Sequence, residues 1–246
     1  MWALLKQSVI AAGLYRPARW LHRQLRPAQQ RAFDDDVALY RSLVTPGALC
    51  FDVGANIGEK SEALLAAGAR VVAFEPNPSI LPELLARCAF HPDWTLVPTA
   101  LGSRDAISPL YLRASHGQSG LVREWEGSVY ATVQIPVVTL DAAVRAFGRP
   151  AFCKIDVEGW ELEVLKGLSE PIPLLSFEFH LSAAELPKAH ACLEHLAAFG
   201  PSHVNLTGVE TAAWHFRDWM PLAEFRRWFP GDIVEPYGDI VVRNDA

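Results

Sequence analysis

Two short segments constrain the fold more than anything else in the chain. Phe51-Asp-Val-Gly-Ala-Asn-Ile-Gly58 runs from an apolar strand into an aspartate and a glycine-rich turn. Val71-Val-Ala-Phe-Glu-Pro-Asn-Pro78 then reads as a second strand ending in a carboxylate. A strand, a tight turn, a helix and a second strand with an acid at its end are how an open α/β sheet holds an adenosine-bearing ligand. Gly54 and Gly58 free the backbone to turn sharply and to be approached closely, which a Cβ would prevent. Glu75, at the second strand's end, can accept from both hydroxyls of a ribose.

Two cofactors fit that outline. A dinucleotide calls for G-x-G-x-x-G, so that a helix N-terminus receives the pyrophosphate. Here Ala55-Asn56 fills the middle of the turn and leaves G-x-x-x-G. Asp52 would add negative charge where a pyrophosphate should lie, but it suits the ammonium of a methionine tail. S-adenosylmethionine (SAM) carries such a tail and is the cofactor expected; an NAD-type oxidoreductase is the alternative.

From Leu49 onward short apolar strands alternate with helical stretches, which predicts a mostly parallel sheet with crossovers. Strands are expected near 49–53, 70–74, 94–98, 151–155, 173–179, 202–207 and 239–243. Helices are expected near 36–44, 59–67, 79–89, 139–147, 159–168 and 183–199. Residues 107–136, with Gly117, Gly120 and Gly127, read as a hairpin excursion above the cofactor site, with Ser119-Gly120 bordering a substrate pocket. Residues 208–237 form a second insertion crowded with Trp214, His215, Phe216, Trp219, Phe225, Trp228, Phe229 and Tyr237. Such crowding makes a sugar-stacking wall or an interaction patch, or more commonly a local core.

The chain of 246 residues with 50% hydrophobic content is long enough for one packed α/β domain. Its net charge of −6 argues against a protein that grips nucleic acid through phosphates. Cys50, Cys88, Cys153 and Cys192 form no C-x-x-C pair, so neither disulfides nor structural zinc are expected. The division expected is a basic helical segment over 1–35 and a catalytic domain over 36–246. Residues 1–31 hold Lys6, Arg16, Arg19, Arg23, Arg26 and Arg31 and no acid. The segment is too short and too charged to span a bilayer. It reads either as a basic amphipathic helix on an anionic membrane or, more ordinarily, as a helix docked on the domain with its arginines in solvent. Asp34-Asp35-Asp36 then marks a helix start. The location expected is cytoplasmic, with contact at the inner face of the membrane as the alternative.

The residues resemble the FkbM family of SAM-dependent methyltransferases. The resemblance rests on the segment 51–58, on Ala73-Phe-Glu-Pro-Asn-Pro78, Ala100-Leu-Gly102, Ser119-Gly120, Val138-Thr-Leu-Asp141 and Lys154-Ile-Asp-Val-Glu-Gly159, in that order. It implies a class I methyltransferase: a Rossmann-like, doubly wound, seven-stranded sheet with helices on both faces and the last strand inserted antiparallel. It also implies a cofactor site built from Asp52, Gly54, Ala55, Asn56, Gly58, Glu75, Asn77, Ala100 and Asp156. The acceptor it implies is a hydroxyl of a sugar, glycolipid or secondary metabolite.

Catalytic candidates follow from strand ends, where ligands gather in an open sheet. Asp52, Glu75, Asp156 with Glu158, and Glu178 with His180 sit there. Glu178 and His180 share a face by the period of two, while Phe177 and Phe179 point into packing. A hydroxyl is a weak nucleophile until its proton leaves, so His180 is the preferred base, with Glu178 or Asp156 orienting or replacing it. Asp156, Glu158 and Glu178 offer oxygens to Mg²⁺, but no linear metal motif supports one. A non-catalytic SAM-binding or membrane-surface protein is the remaining alternative.

Overall fold

The computed structural model describes residues 10, 14–114, 119–123, 127–208 and 213–245. Residues 1–9 and 11–13 of the basic segment, Gly117 of the hairpin excursion and residues 209–212 of the second insertion lie outside them.

The central sheet is built from β1 (Leu49–Val53), β2 (Arg70–Phe74), β3 (Trp94–Val97), β7 (Phe152–Ile155), β8 (Leu174–His180), β9 (Ser202–Gly208), β10 (Met220–Pro221) and β11 (Tyr237–Asn244). Its order is β10-β9-β11-β8-β7-β1-β2-β3. The pairs β1–β2, β2–β3, β1–β7 and β7–β8 are parallel. The final strand β11 lies antiparallel between β8 and β9, as expected. The two-residue β10 extends the expected seven strands to eight at the β9 edge. Strand order reverses between β1 and β7, so the crevice for a ligand opens at their carboxyl ends.

The helices are α1 (Tyr15–Gln24), α2 (Pro27–Leu43), α3 (Glu59–Ala66), α4 (Leu81–Cys88), α5 (Leu140–Phe147), α6 (Glu161–Lys166), α7 (Leu186–Ala197) and α8 (Leu222–Trp228). One face of the sheet packs Phe51, Phe74, Ile155, Leu175 and Phe177 against residues of α5, α6, α7 and α8. The other packs Cys50, Val71, Ala73 and Phe152 against α2, α3 and α4. Thr139 caps α5, its hydroxyl accepting from the Ala142 N–H at 3.1 Å. All four cysteines are free and buried, and behave as small hydrophobes.

Residues 100–139 form more than a hairpin. β4 (Ala100–Gly102), β5 (Ala106–Arg113) and β6 (Val129–Thr139) make a separate three-stranded sheet, in which β6 pairs antiparallel with β5 and parallel with β4. The aromatic insertion packs as a local core. Phe225 and Phe229 are buried, their rings stacked 5.5 Å apart, and Phe216 meets Trp228 edge to face at 4.8 Å.

Two expectations at the N-terminal end are corrected. Asp34-Asp35-Asp36 does not start a helix, because α2 begins with Pro27 in its first turn and the acids sit inside it. Asp36 there receives Lys60 Nζ at 2.7 Å. Second, α1 docks through its arginines rather than holding them in solvent. Arg23 Nη2 lies 2.7 Å and Arg19 Nη2 3.1 Å from Glu62 carboxylate oxygens, and the Tyr15 hydroxyl donates to Glu83 at 2.7 Å. The leucines face out: Leu14, Leu21 and Leu25 are 56%, 53% and 73% exposed. Among the described residues, no helix is long and apolar enough to cross a membrane.

Candidate active site

A cavity opens at the carboxyl ends of β1, β2 and β7 under the small sheet. Gly54, Asn56, Glu75, Ala100 and Asp156 from the sequence reading line it, as do Ser119 and Gly120. Asp52, Ala55, Gly58 and Asn77 do not reach its wall.

The turn's glycines also answer to packing. Gly54 has φ +82°, and a Cβ there would stand 1.8 Å from the Asp156 carbonyl oxygen. A Cβ on Gly58 would stand 2.6 Å from Leu84 Cδ1 of α4. The bare backbone therefore lets β1 close on the loop after β7, and lets α4 close on the start of α3.

Glu75 clamps the turn as well as facing the cavity. One carboxylate oxygen accepts from the Asn56 N–H and the other from the Asn77 N–H, both at 2.8 Å. Those bonds hold Asn56 in its left-handed conformation at φ 52°. Burial pushes the Glu75 carboxyl up to about 7, against the two backbone bonds that favour its charge. Asn77 stands behind it, its side-chain oxygen accepting from the Ser79 N–H and hydroxyl at 3.0 and 2.7 Å. Asp52 lies one layer down, 1% exposed, with the Ser61 hydroxyl donating to it at 2.5 Å and burial raising its carboxyl.

Beyond the turn, Asp156 receives Lys154 Nζ at 2.8 Å, and that buried ammonium holds the carboxyl low against its own burial. Glu178 hydrogen-bonds to Asp156 and is pushed up to about 8, first by burial and then by the Asp156 charge. His180 Nε2 lies 3.1 Å from Glu178 Oε2, and this bond raises the imidazole pKa. The His180 ring stacks on Tyr237 at 5.4 Å and stands behind Glu178, off the walls of the cavities around Asp156. The three catalytic candidates thus form a line, Asp156 to Glu178 to His180. Glu158, Glu178 and His180 bring donor atoms within 4.8 Å of one another, so a cation-binding trio differs from the expected one by His180 replacing Asp156.

Several residues escaped the sequence reading. Glu161 is a second clamp: one oxygen accepts from the Val157 and Gly159 N–H groups at 3.1 and 3.2 Å, and burial lifts it to about 7. Its signal was a carboxylate just past a strand-end glycine, the same arrangement that Glu75 serves. Thr99, Leu110, Leu121 and Trp160 complete the wall; nothing in their local sequence marks them, since the small sheet brings them over the crevice.

The cavity suits SAM. Buried Asn56 Oδ1 and Trp160 Nε1 both lie on wall residues and have no partner among the described residues, leaving one acceptor and one donor for a polar ligand. Glu75 keeps a lone pair on each oxygen for ribose hydroxyls.

A doubly wound sheet with its last strand reversed, and an acid-ended second strand over such a cavity, are the features of the class I methyltransferase fold. Residues 52–202 match the methyltransferase FkbM domain, and the chain belongs to that family. S-adenosylmethionine is its cofactor. The hexuronic acid methyltransferase AglP of Haloferax volcanii is 30% identical over 167 residues, which cover 64% of this chain and 63% of that protein. Among solved structures, Aeropyrum pernix fibrillarin with bound S-adenosyl-L-methionine aligns at TM-score 0.47 and 9% identity, covering 84% of this chain and 72% of its own. Precorrin-6y C5,15-methyltransferase from Geobacter metallireducens aligns at 0.44 and 13%, covering 85% and 88%.

Proposed function

We propose that this chain is an O-methyltransferase acting on a hydroxyl of a sugar, glycolipid or secondary metabolite. The observation that carries the reading is the line Asp156–Glu178–His180, a set of proton-accepting groups leading away from the cofactor cavity. The sugar-modifying name of the Haloferax relative favours a carbohydrate acceptor. When bound, SAM supplies a methyl group on a cationic sulfur, and the protein's task is to hold a nucleophilic oxygen behind it.

Glu75 and Asn56 hold the nucleoside, and Leu101, Leu110 and Leu121 give it an apolar bed. Asp156, kept ionised by Lys154, places fixed negative charge at the mouth of the cavity. Glu178 in its ionised form takes the acceptor hydroxyl's proton, and His180 behind it, with 29% of its side chain exposed, passes that proton to solvent. Such a base contributes about 10²- to 10⁴-fold. The test is transfer of radiolabelled methyl into glycan, lipid and small-molecule extracts, with the product's linkage determined by NMR. A methyl ether supports the reading; methylation confined to nitrogen, carbon or a carboxylate refutes it.

The trio Glu158, Glu178 and His180 supports a second reading, in which a divalent cation activates the hydroxyl. Chelation separates the two. Activity lost in EDTA and restored by Mg²⁺ or Mn²⁺ favours the cation, and unchanged activity favours the proton relay.

A further inference from the structure

Asp156 lies on the wall of two cavities. The second opens on the sheet face covered by α2, where polar side chains of the strands face Leu39, Tyr40 and Leu43 of that helix. Register explains its shape. Glu178 pairs with Asp239 across β8 and β11, and Asp239 pairs with Thr207 across β11 and β9. Asp156 follows the Ile155–Phe177 pair and so stands beside Glu178. Paired residues point to one side of a sheet, so Asp156, Glu178, Asp239 and Thr207 make a straight row. Three strand spacings make it about 14 Å long.

The far end of this row is not satisfied by the protein. Among the described residues, the Asp239 carboxylate and the Ser176 and Thr207 hydroxyls have no hydrogen-bond or ion-pair partner, although all three line the cavity and Ser176 and Thr207 are only 3% exposed. Their oxygens face the cavity and are open to a ligand. Both cations of the cavity are already neutralised: Lys154 lies 2.8 Å from Asp156, and Lys60 lies 2.7 Å from Asp36. What the row offers is therefore acceptors with hydroxyls between them, for a ligand rich in donors and poor in negative charge. An anionic ligand would face Glu178 and Asp239 with no uncommitted ammonium beside them.

We infer that this second cavity is the acceptor site, that it takes an uncharged, elongated polyhydroxylated ligand such as a neutral disaccharide unit, and that it delivers one hydroxyl to Asp156 and Glu178 at the cofactor cavity. The inference rests on the O-methyltransferase reading and adds to it the acceptor's charge and the residues that hold it. Asp239 and Thr207 are binding residues at the end remote from the reacting oxygen. Hydroxyls along the ligand donate to Asp239 and exchange bonds with Thr207 and Ser176.

The experiment measures binding by saturation-transfer NMR on the full chain with S-adenosylhomocysteine bound, with cellobiose as the neutral probe and cellobiouronic acid as its carboxylate counterpart. Cellobiose should receive saturation, and Asp239→Asn and Thr207→Val should each weaken it about 3- to 10-fold, the value of one hydrogen bond. Both substitutions are near-isosteric, and thermal melting confirms that each variant is folded. Cellobiouronic acid should bind more weakly than cellobiose. No saturation of cellobiose, equal binding by wild type and both variants, or tighter binding of the uronic acid each overturns the proposal. So does a parallel loss of S-adenosylhomocysteine affinity in the variants, which would assign the cavity to the cofactor's amino-acid tail. A wild type that binds cellobiose in this variant-sensitive way but forms no methyl ether on any acceptor would remove the O-methyltransferase reading and leave the polyol site standing.

Discussion

The two faces of strand β8 carry different kinds of energy. Leu175, Phe177 and Phe179 point into a dry core and are 0–3% exposed, while Ser176, Glu178 and His180, one residue out of step, line or back the second cavity. Its neighbour β7 repeats the division, with Cys153 and Ile155 on one side and Lys154 and Asp156 on the other. Strand β1 lacks it almost entirely, because helices cover both its faces. The difference teaches where this fold can do chemistry: where a gap opens between one sheet face and α2, ionisable groups stand in a row. Their burial is then offset by pairing, as Lys154 does for Asp156, or by holding a proton, as Glu178 does.

The sharpest way to break the comparison is to exchange what each face loses. Phe177→Ala should cost about 3–5 kcal/mol of stability, as large core truncations do, measured by urea unfolding. Ser176→Ala, on the adjacent residue, should stay within about 0.5 kcal/mol. Equal losses would show that the polar face also holds the fold together.

On that polar face the loss should appear in rate. Glu178→Gln should lower methyl transfer at saturating substrates by on the order of 10²-fold or more, and His180→Gln by less, with S-adenosylmethionine binding retained by calorimetry. A larger effect at His180 would make the imidazole the direct base. Wild-type rate should climb as pH rises towards about 8, where Glu178 loses its proton. Stability should move the opposite way. Glu75, Glu161 and Glu178 titrate higher in the fold, at about 7, 7 and 8, than the usual carboxylate. Their contribution is therefore fully present below about 4.5 and is lost as pH rises through those values. Melting temperature should fall between pH 5.5 and 8.5, and Glu178→Gln should flatten that fall.

Glu75→Ala should weaken S-adenosylmethionine by about 10- to 150-fold, the worth of roughly 1.5–3 kcal/mol of charge-assisted bonds. The structure adds a second cost, since the same change leaves the Asn56 and Asn77 N–H groups without their carboxylate. Calorimetry and melting should therefore both respond. Unchanged affinity in the folded variant would sink the ribose role.

Strands and the order of motifs were legible because each rests on local patterning, alternation in Leu174–His180 and the acid-ended strand at Glu75, whereas the reversed last strand was expected only from the family resemblance. The burial of Asp52 behind the wall was not legible, because a strand-end aspartate looks the same whether it faces a cavity or, as here, a buried serine. The packing demand on the turn's glycines was hidden for a related reason. Their neighbours, the Asp156 carbonyl and Leu84, come from distant sequence. The row through Asp239 and Thr207 was invisible because it depends on register across β8, β11 and β9, which no single segment encodes.

The smallest expected effect tests the region where the sequence was most misleading. An arginine-rich amphipathic segment reads as charge outward and leucine inward, yet α1 is seated the other way round on Glu62 of α3. Arg23 is 14% exposed and Glu62 27%, so solvent screens the pair only in part. Arg23→Ala should therefore cost no more than about 1 kcal/mol of global stability. Its local effect should be easier to see, since α1 is an edge element held by few contacts besides Tyr15 and Arg19. Limited proteolysis should cut within 15–25 faster in the variant, and added salt should speed cleavage of the wild type towards the variant's rate by screening the same pair. Salt-independent cleavage at equal rates would show that apolar contacts, not the arginines, seat the helix.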